Sequence, residues 1–147
     1  LMDELEALKD QAARQEEKYL RLAAEYDNFR KRTAKEKEAI WNDAKADAAL
    51  AFLPVYDNLE RALKQETADE AYKKGVEMTM NQLKTVLEKL GITEIEALGQ
   101  PFDPALHNAV MHIEDENFGE NTVAEVFQAG FRLGDKVVRF AMVKVAN

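Results

Sequence analysis

The apolar positions of this chain follow two periods, and the change between them falls near Gly91. Before Gly91, apolar residues recur every three or four positions, which is the period of a helix with one apolar face. After Gly91 they alternate with polar residues over short runs bounded by glycine and proline, which is typical of β-strands. The pattern predicts an α+β chain in which a long helical part precedes a small C-terminal β domain.

The first helical segment carries an a/d seam of the kind that pairs helices in coiled coils. Its members lie three and four residues apart: Leu5, Leu8, Ala12, Gln15, Tyr19, Leu22, Tyr26 and Phe29. The seam slips by one residue after Phe29 and resumes at Trp41. Such a stutter relaxes left-handed supercoiling, so the pattern predicts two nearly straight parallel helices. Because one helix cannot bury its own apolar stripe, we expect a homodimer.

A proline predicts where the long helix ends. Pro54 has no backbone N–H, so we expect the long helix, over residues 1–53, to break or kink there and two short helices to follow over residues 54–91. The second short helix is predicted to start near Ala68, at the capping-box pattern Thr67–Glu70, and to end at Gly91. Two short helices cannot close a core, so two chains are predicted to form a four-helix bundle. The predicted dimer contacts are Leu8, Tyr19, Leu22, Tyr26, Phe29, Leu59, Leu63, Met80, Leu83 and Leu87.

Residues 92–147 are predicted to form a compact β domain. Short strands are predicted at Ile92–Ile95, Val110–Glu114 and Val123–Ala129. The clearest strand runs from Val137 to Val145, behind a turn at Gly134-Asp135. The run Gly130–Lys136 has a superficial likeness to a phosphate loop, but its glycine spacing is one residue short, and we interpret it as a hairpin turn.

Composition narrows the functional classes. Only 46% of the residues are hydrophobic, and no apolar run approaches the roughly twenty residues that span a bilayer, so we expect no membrane segment. The net charge of −8 argues against a general nucleic-acid binder and suits a protein partner. Cysteine is absent, which excludes disulfides and thiolate metal sites and permits a reducing compartment. We expect a cytoplasmic protein.

Candidate catalytic chemistry is nearly absent from the sequence. The chain contains neither Ser nor Cys, and its two histidines, His107 and His112, stand at a spacing that fits no familiar metal pattern. We therefore predict no catalytic residues, no metal and no cofactor, and expect both histidines to be ordinary strand or surface residues. The sequence does not indicate an enzyme.

One basic cluster stands out in the long helix. Arg30-Lys31-Arg32, with Lys35 and Lys37 nearby, follows the aromatic residues of the seam. From spacing alone the cluster is open to three interpretations, namely a solvated face, a protein docking site and a nucleic-acid site. The acidic remainder of the chain and the lack of a known nucleic-acid motif argue against the third.

Several strings in the chain together resemble one family. They are EYDNFRKRT at 25–33, LPVYDNLERAL at 53–63, GVEM at 75–78, PFDPALHNA at 101–109, GFRL at 130–133 and VRFAMV at 138–143. In this order they resemble GrpE, the nucleotide exchange factor of DnaK-type chaperones, over nearly the whole chain. The acidic N-terminal extension common in that family is missing ahead of Leu1, as we expect of a trimmed chain.

The resemblance implies a parallel dimer that engages one chaperone molecule. A β domain presses on a lobe of the chaperone's nucleotide-binding domain, so that the cleft opens and ADP leaves, and the helices respond to heat. The chaperone-binding residues implied by position are Arg30, Gly75, Phe102, Pro104, Phe127, Lys136, Arg139 and Val145. The alternative role is packing in the core for Phe102, Phe127 and Val145. For Pro104 the alternative is to shape its loop. Gly75 is interpreted as a close-approach or hinge position.

Two other classes of function remain open at this point. A structural coiled-coil spacer would use the helices alone, and a nucleic-acid adaptor would use the cluster from Arg30 to Lys37. Neither accounts for the strings in the C-terminal half.

Overall fold

A computed structural model describes residues 1–147, which form two helices followed by six short strands. The elements are α1 (Met2–Leu63), α2 (Glu70–Lys89), β1 (Ile92–Glu94), β2 (His107–Ile113), β3 (Thr122–Gln128), β4 (Phe131–Leu133), β5 (Lys136–Arg139) and β6 (Ala141–Ala146). This order confirms the predicted α+β class, with a small C-terminal β domain. Neither helix is apolar enough over a sufficient length to cross a membrane.

The chain divides into two units, Leu1–Trp41 and Asn42–Asn147. The first unit is helical from Met2 onwards and contains no buried residue. Its predicted seam residues, from Leu5 to Phe29, are all exposed, and the large apolar ones lie between 53% exposed at Phe29 and 69% at Tyr19. A helix of this length with an uncovered apolar stripe lacks a core within one chain.

Of the break or kink predicted at Pro54, the break is wrong, because α1 continues to Leu63. Pro54 leaves the carbonyl of Leu50 without its usual helical donor, yet both residues are exposed, so water can supply the missing hydrogen bond. Leu53 and Tyr56 are buried on either side of the proline's position and anchor this stretch to the core. Tertiary packing therefore outweighs the local preference of proline.

The second helix begins slightly later than its sequence predicts. α2 starts at Glu70, and its N-cap is Asp69, whose carboxylate accepts a hydrogen bond from the backbone N–H of Tyr72 at 3.1 Å. The Thr67 hydroxyl, predicted as part of a capping box, accepts instead from the Asp69 N–H. The helix ends as predicted, with Gly91 in the left-handed region at a φ of 80°.

The six strands form two three-stranded sheets. The helix-side sheet has the order β1-β4-β5 and is antiparallel, whereas the distal sheet has the order β2-β6-β3 and pairs β2 with β6 in parallel. The first three predicted strands are present, although β2 starts three residues earlier, at His107 rather than Val110.

The predicted single strand from Val137 to Val145 is two strands. It is interrupted at Phe140, where the chain leaves the helix-side sheet as β5 and enters the distal sheet as β6. The connection from β3 to β4 crosses at the same corner through Gly130, and a Cβ on Gly130 would overlap the backbone of Ala141. This close approach explains both the glycine at position 130 and the interruption of the strand at Phe140. The alternation of apolar and polar residues reveals neither.

Two separate cores fill the second unit. One joins both helices to the helix-side sheet and contains Ala49, Leu53, Tyr56, Met80, Leu87, Ile92, Ala129 and Phe131. The other lies in the distal sheet and contains Ala97, Val123, Ala141, Val143 and Val145. No helical residue belongs to the second core.

The helix core corrects part of the predicted dimer interface. Met80 and Leu87 are 3% and 5% exposed within a single chain, so their side chains are already covered. Leu59, Leu63 and Leu83 pack against the same core and are half-buried. The reason is that α1 and the helix-side sheet of the same chain cover the face that the sequence pattern assigned to a second copy.

Candidate functional site

The β4–β5 hairpin carries the first candidate residue, Lys136. The hairpin turns at Gly134-Asp135, with Gly134 at a φ of 57°, so the predicted turn is confirmed. Lys136 is the first residue of β5, and its Nζ lies 2.6 Å from Oδ1 of Asp43 on α1. Both side chains are largely exposed, so the lysine can reach solvent or another protein as well as Asp43.

Arg139, at the end of β5, is engaged within the chain. Its Nη1 and Nη2 each donate to a carboxylate oxygen of Asp57 at 2.8 Å. Its Nε and Nη2 also donate to the carbonyl of Ala129, at 3.0 and 2.6 Å. The Arg139 side chain is only 13% exposed. Its donors therefore serve the protein's own backbone and helix α1.

Phe127 lies on the exposed face of the distal sheet. Its side chain is 42% exposed, and Nζ of Lys144 stands 5.7 Å from the ring centroid. The same ammonium group pairs with Oε2 of Glu125 at 2.9 Å. Val110 and Met111 of the edge strand β2 are also about half exposed. An exposed aromatic ring beside a cation, on a sheet that also exposes apolar side chains, is suited to contact with another protein.

The loop before β2 carries Phe102 and Pro104. Phe102 is half-buried against the distal-sheet core, and its backbone N–H donates to the carbonyl of Asn121 at 2.8 Å. Pro104 is exposed, and the Asp103 carboxylate accepts from the N–H of Ala105 at 2.9 Å in the same turn. Phe102 therefore has a packing role, whereas Pro104 remains free for contact.

Val145 is 3% exposed and belongs to the distal-sheet core. Its predicted role as a direct contact is therefore corrected to the core alternative, because strand alternation on β6 directs it inwards together with Ala141 and Val143.

In the first unit, the candidate Arg30 is exposed and paired locally. Its Nη2 lies 3.1 Å from Oδ1 of Asp27, and Nζ of Lys31 lies 3.0 Å from Oδ2 of the same carboxylate. Hydrogen bonds from Lys31 and then Arg30 hold the pKa of Asp27 below its ordinary range. Arg32 is 3.8 Å from Glu36. Acidic neighbours thus offset much of the basic cluster.

Gly75 lies on an exposed part of α2. A Cβ built on it would meet nothing within 4 Å, so no part of the same chain approaches it closely. Its carbonyl accepts a hydrogen bond from the hydroxyl of Thr79 at 2.9 Å. Any close approach at Gly75 has to come from another chain.

His107 is a buried strand residue. Its Nδ1 accepts from the backbone N–H of Asp103 at 3.0 Å, and its Nε2 has no hydrogen-bond partner in the protein. Burial lowers the pKa of His107, and the charge of Asp103 opposes this effect. No group of three or more His, Cys, Asp or Glu side chains is arranged to hold a metal ion.

An acidic group surrounds the buried Tyr56 hydroxyl. Burial raises the pKa of Tyr56, and the charges of Glu94 and Glu60 act in the same direction. Burial also raises the pKa of Glu94, against the lowering effect of Lys84. Glu60 and Glu94, together with Leu98, line an open cleft of about 510 Å³.

Sequence reasoning missed the acidic partners of the two basic candidates. Asp43 and Asp57 lie on α1, 93 and 82 residues from the side chains that they bind. Asp57 falls within the string LPVYDNLERAL, which is the only signal that the sequence offered for it. Periodicity reports which face of a helix a residue occupies, but not which distant residue it meets.

Comparison with known proteins places this geometry in context. The sequence profile of the GrpE family matches residues 1–147. Protein GrpE of Clostridium acetobutylicum is 58% identical over 144 residues, which cover 98% of this chain and 68% of the relative. Protein GrpE of Clostridium tetani is 49% identical over 147 residues, covering 100% and 70%. Protein GrpE of Bacillus velezensis is 46% identical over 147 residues, covering 98% and 75%. The chain thus spans roughly two thirds to three quarters of the length of these relatives.

Proposed function

This chain belongs to the GrpE family of co-chaperones, and on that premise we propose that it is the nucleotide exchange factor of a DnaK-type chaperone. It binds the chaperone's nucleotide-binding domain, opens the cleft and accelerates the release of ADP, in support of protein folding and the heat-shock response. The observation that carries the proposal is the family match over the whole of residues 1–147. The factor makes and breaks no covalent bond.

The mechanism is a shift of a conformational equilibrium. A binding partner can open the cleft only if it binds the open state more tightly than the closed state. Weakening the chaperone's affinity for ADP a thousandfold requires that the open state be preferred by about 4 kcal/mol. By linkage, ADP must weaken the binding of this protein by the same factor.

Exposed candidate residues supply the chaperone-binding surface. Lys136 and Phe127 of the β domain, Pro104 of its loop and Arg30 of α1 all reach solvent, which supports a role in direct contact. The half-buried Phe102 and the buried Val145 support this surface from beneath. We assign Lys136 the central electrostatic role, because a cation can pair with acidic groups on the chaperone lobe.

The acting species is a homodimer. The exposed seam from Leu8 to Phe29 supports pairing of the first unit, since an uncovered stripe of this kind needs a second helix. In the second unit, exposed apolar residues on α1 (Val55) and α2 (Met78, Val86) supply the faces for a four-helix bundle. Residues 1–53 then form the paired segment, residues 54–91 contribute to the bundle and residues 92–147 form the β domain.

The helices act as a heat-responsive element in the bacterial cytoplasm. Tyr19 and Tyr26 occupy seam positions where leucine packs better, so the pairing is loose and heat separates it first. The bacterial relatives support this location. Membrane binding and nucleic-acid binding have no part in the proposal.

Release of fluorescently labelled ADP from a purified DnaK-type chaperone, followed by stopped flow with and without this protein, tests the function. We expect a large acceleration that saturates with protein concentration. If two different chaperones show no acceleration while the dimer is intact by analytical ultracentrifugation, the exchange function is wrong and a structural spacer takes its place.

A further inference from the structure

The distal sheet is joined to helix α1 at one corner and not through a shared core. Its own core contains no helical residue. The helix core reaches only as far as Ala129 and Phe131, which flank the Gly130 crossing. The distal sheet therefore depends for its orientation on whatever connects this corner to α1.

Arg139 makes that connection. It is the last residue of β5, directly before the corner, and its guanidinium binds the carboxylate of Asp57 and the carbonyl of Ala129 at once. Gln128, the last residue of β3, adds a longer contact from its Nε2 to Asp57 at 3.3 Å. Asp57 and Arg139 are only 22% and 13% exposed, so water competes little with a bidentate pair of fixed geometry.

A cleft adjoins this connection. The open cleft of about 510 Å³ is lined both by Glu60, three residues after Asp57 on α1, and by Leu98 and Val126 of the β domain. An open cleft contributes no packing between the surfaces that line it. On the side of this cleft, the polar contacts of Asp57 therefore oppose rotation of the distal sheet about its corner.

We propose that the Arg139–Asp57 pair is a latch that fixes the orientation of the distal sheet, so that Arg139 is a positioning residue for exchange and not a chaperone contact. The inference rests on the proposed exchange function. A sheet held at one angle fits the open chaperone lobe better than the closed one, whereas a loosely held sheet adapts to both. Loss of the latch therefore reduces the preference for the open chaperone lobe over the closed one more than it reduces the overall affinity for the chaperone.

Exchange kinetics separate the preference for the open lobe, which sets the maximal rate of ADP release, from the overall affinity, which sets the half-saturating concentration. Asp57→Asn keeps the size of the side chain and removes its charge. We expect the maximal ADP release rate at saturating protein to fall about tenfold, with the half-saturating concentration changed less than about threefold. Arg139→Lys should act in the same direction, because lysine lacks the planar fork. The matched control is Lys64→Ala, directly after the end of α1, which removes the ion pair of the exposed Lys64 with Glu60 and should behave as wild type.

A distance measurement reports the orientation directly. Because the chain has no cysteine, spin labels can be placed at Asp47→Cys on α1 and His112→Cys on β2 alone. Labelled chains are diluted with unlabelled chains so that each dimer carries one labelled chain. Pulsed EPR should give a broader distance distribution with Asp57→Asn than with wild type or Lys64→Ala.

The outcomes separate the latch from the exchange function. Equal distance distributions and equal maximal rates in wild type and Asp57→Asn would overturn the latch, as would a loss confined to the half-saturating concentration. If wild type accelerates no chaperone, the exchange function fails and the distance distributions alone decide the latch. If circular dichroism shows that Asp57→Asn does not fold, Arg139→Lys carries both measurements.

Discussion

Lys136 forms an exposed ion pair with Asp43, and the two members of the pair can be examined separately. Exposed pairs contribute at most about 1 kcal/mol to stability, so loss of either charge leaves the fold intact. The lysine is the proposed chaperone contact, whereas Asp43 is its neighbour within the chain. Substitutions at the two positions therefore have different expected results.

We expect Lys136→Glu to reduce the acceleration of ADP release at least about tenfold, because the reversed charge opposes docking on an acidic lobe. The measurement is the stopped-flow assay, with circular dichroism as a check on folding. Asp43→Asn removes the same ion pair and keeps the lysine, so it should exchange nearly as well as wild type. Equal losses in both variants would show that the ion pair itself matters, and full activity of Lys136→Glu would remove Lys136 from the contact surface.

His107 couples stability of the β domain to pH. Burial lowers the pKa of His107 below its ordinary value of 6.5, so the unfolded chain takes up a proton at a higher pH than the folded chain does. Stability is therefore lost as the pH falls through 6.5, and the loss stops below the folded-state pKa. Protonation of Nδ1 also breaks its hydrogen bond from the Asp103 N–H.

Thermal melts between pH 7.5 and pH 5 test this coupling. Each tenfold difference in proton affinity between the two states corresponds to about 1.4 kcal/mol, so we expect the melting temperature of the β domain to fall by a few degrees on acidification. His107→Gln should flatten this dependence, while His112→Gln, on the same strand but exposed, should keep it. An unchanged pH dependence in His107→Gln would assign the effect to other groups.

At the scale of single elements, local patterns in the sequence were sufficient for most of the fold. The helical period, the C-terminal glycine of α2 and the β4–β5 turn are each set by neighbouring residues, and each was predicted. Local patterns did not predict that α1 continues through Pro54 or that the last strand divides at Phe140. Both depend on contacts with distant residues, namely the core around Leu53 and the crossing of Gly130, which a local pattern does not contain.

Gly75 is the element-scale position where stability and function should separate. Glycine inside a helix costs about 1 kcal/mol relative to alanine, and the structure leaves room for a methyl group. We expect Gly75→Ala to raise the melting temperature of the protein by a few degrees. Because Gly75 is a candidate site of close approach by another chain, the same variant should exchange ADP more slowly.

Ala71→Gly, at another exposed position on α2, is the matched control for this prediction. It should lower the melting temperature by a similar amount and leave the maximal exchange rate unchanged. A stabilised Gly75→Ala variant with normal exchange would mean that the glycine is merely tolerated. A destabilised variant would mean that another chain already fills the space beside Gly75 in the dimer.

At the scale of the whole molecule, the sequence predicted which faces are apolar but not which surface covers each face. Met80 and Leu87 have the spacing of interface residues and are covered within the chain, in a core shared by α1 and the helix-side sheet. The seam residues of the first unit have the same kind of spacing and are not covered. Periodicity is identical in the two cases, and only the three-dimensional placement of the helix-side sheet distinguishes them.

This difference predicts that heat acts on the two units separately. The first unit has no buried residue in one chain, so in the proposed homodimer its stability comes from pairing and depends on protein concentration. The second unit has two cores of its own. We expect a first transition, seen as loss of helical circular dichroism, whose midpoint rises with protein concentration, and a second transition at higher temperature that unfolds the β domain.

Seam variants and a core probe make the separation measurable. Tyr19→Leu and Tyr26→Leu improve the packing of the seam and should raise the first midpoint by several degrees without moving the second. Methyl NMR signals of Val123 and Val143, which are fully buried in the distal sheet, report the second transition independently. If the helical signal and these methyl signals are lost together at one temperature, or if the leucine variants shift both midpoints equally, the two units unfold as one. The seam would then not be the heat-responsive element.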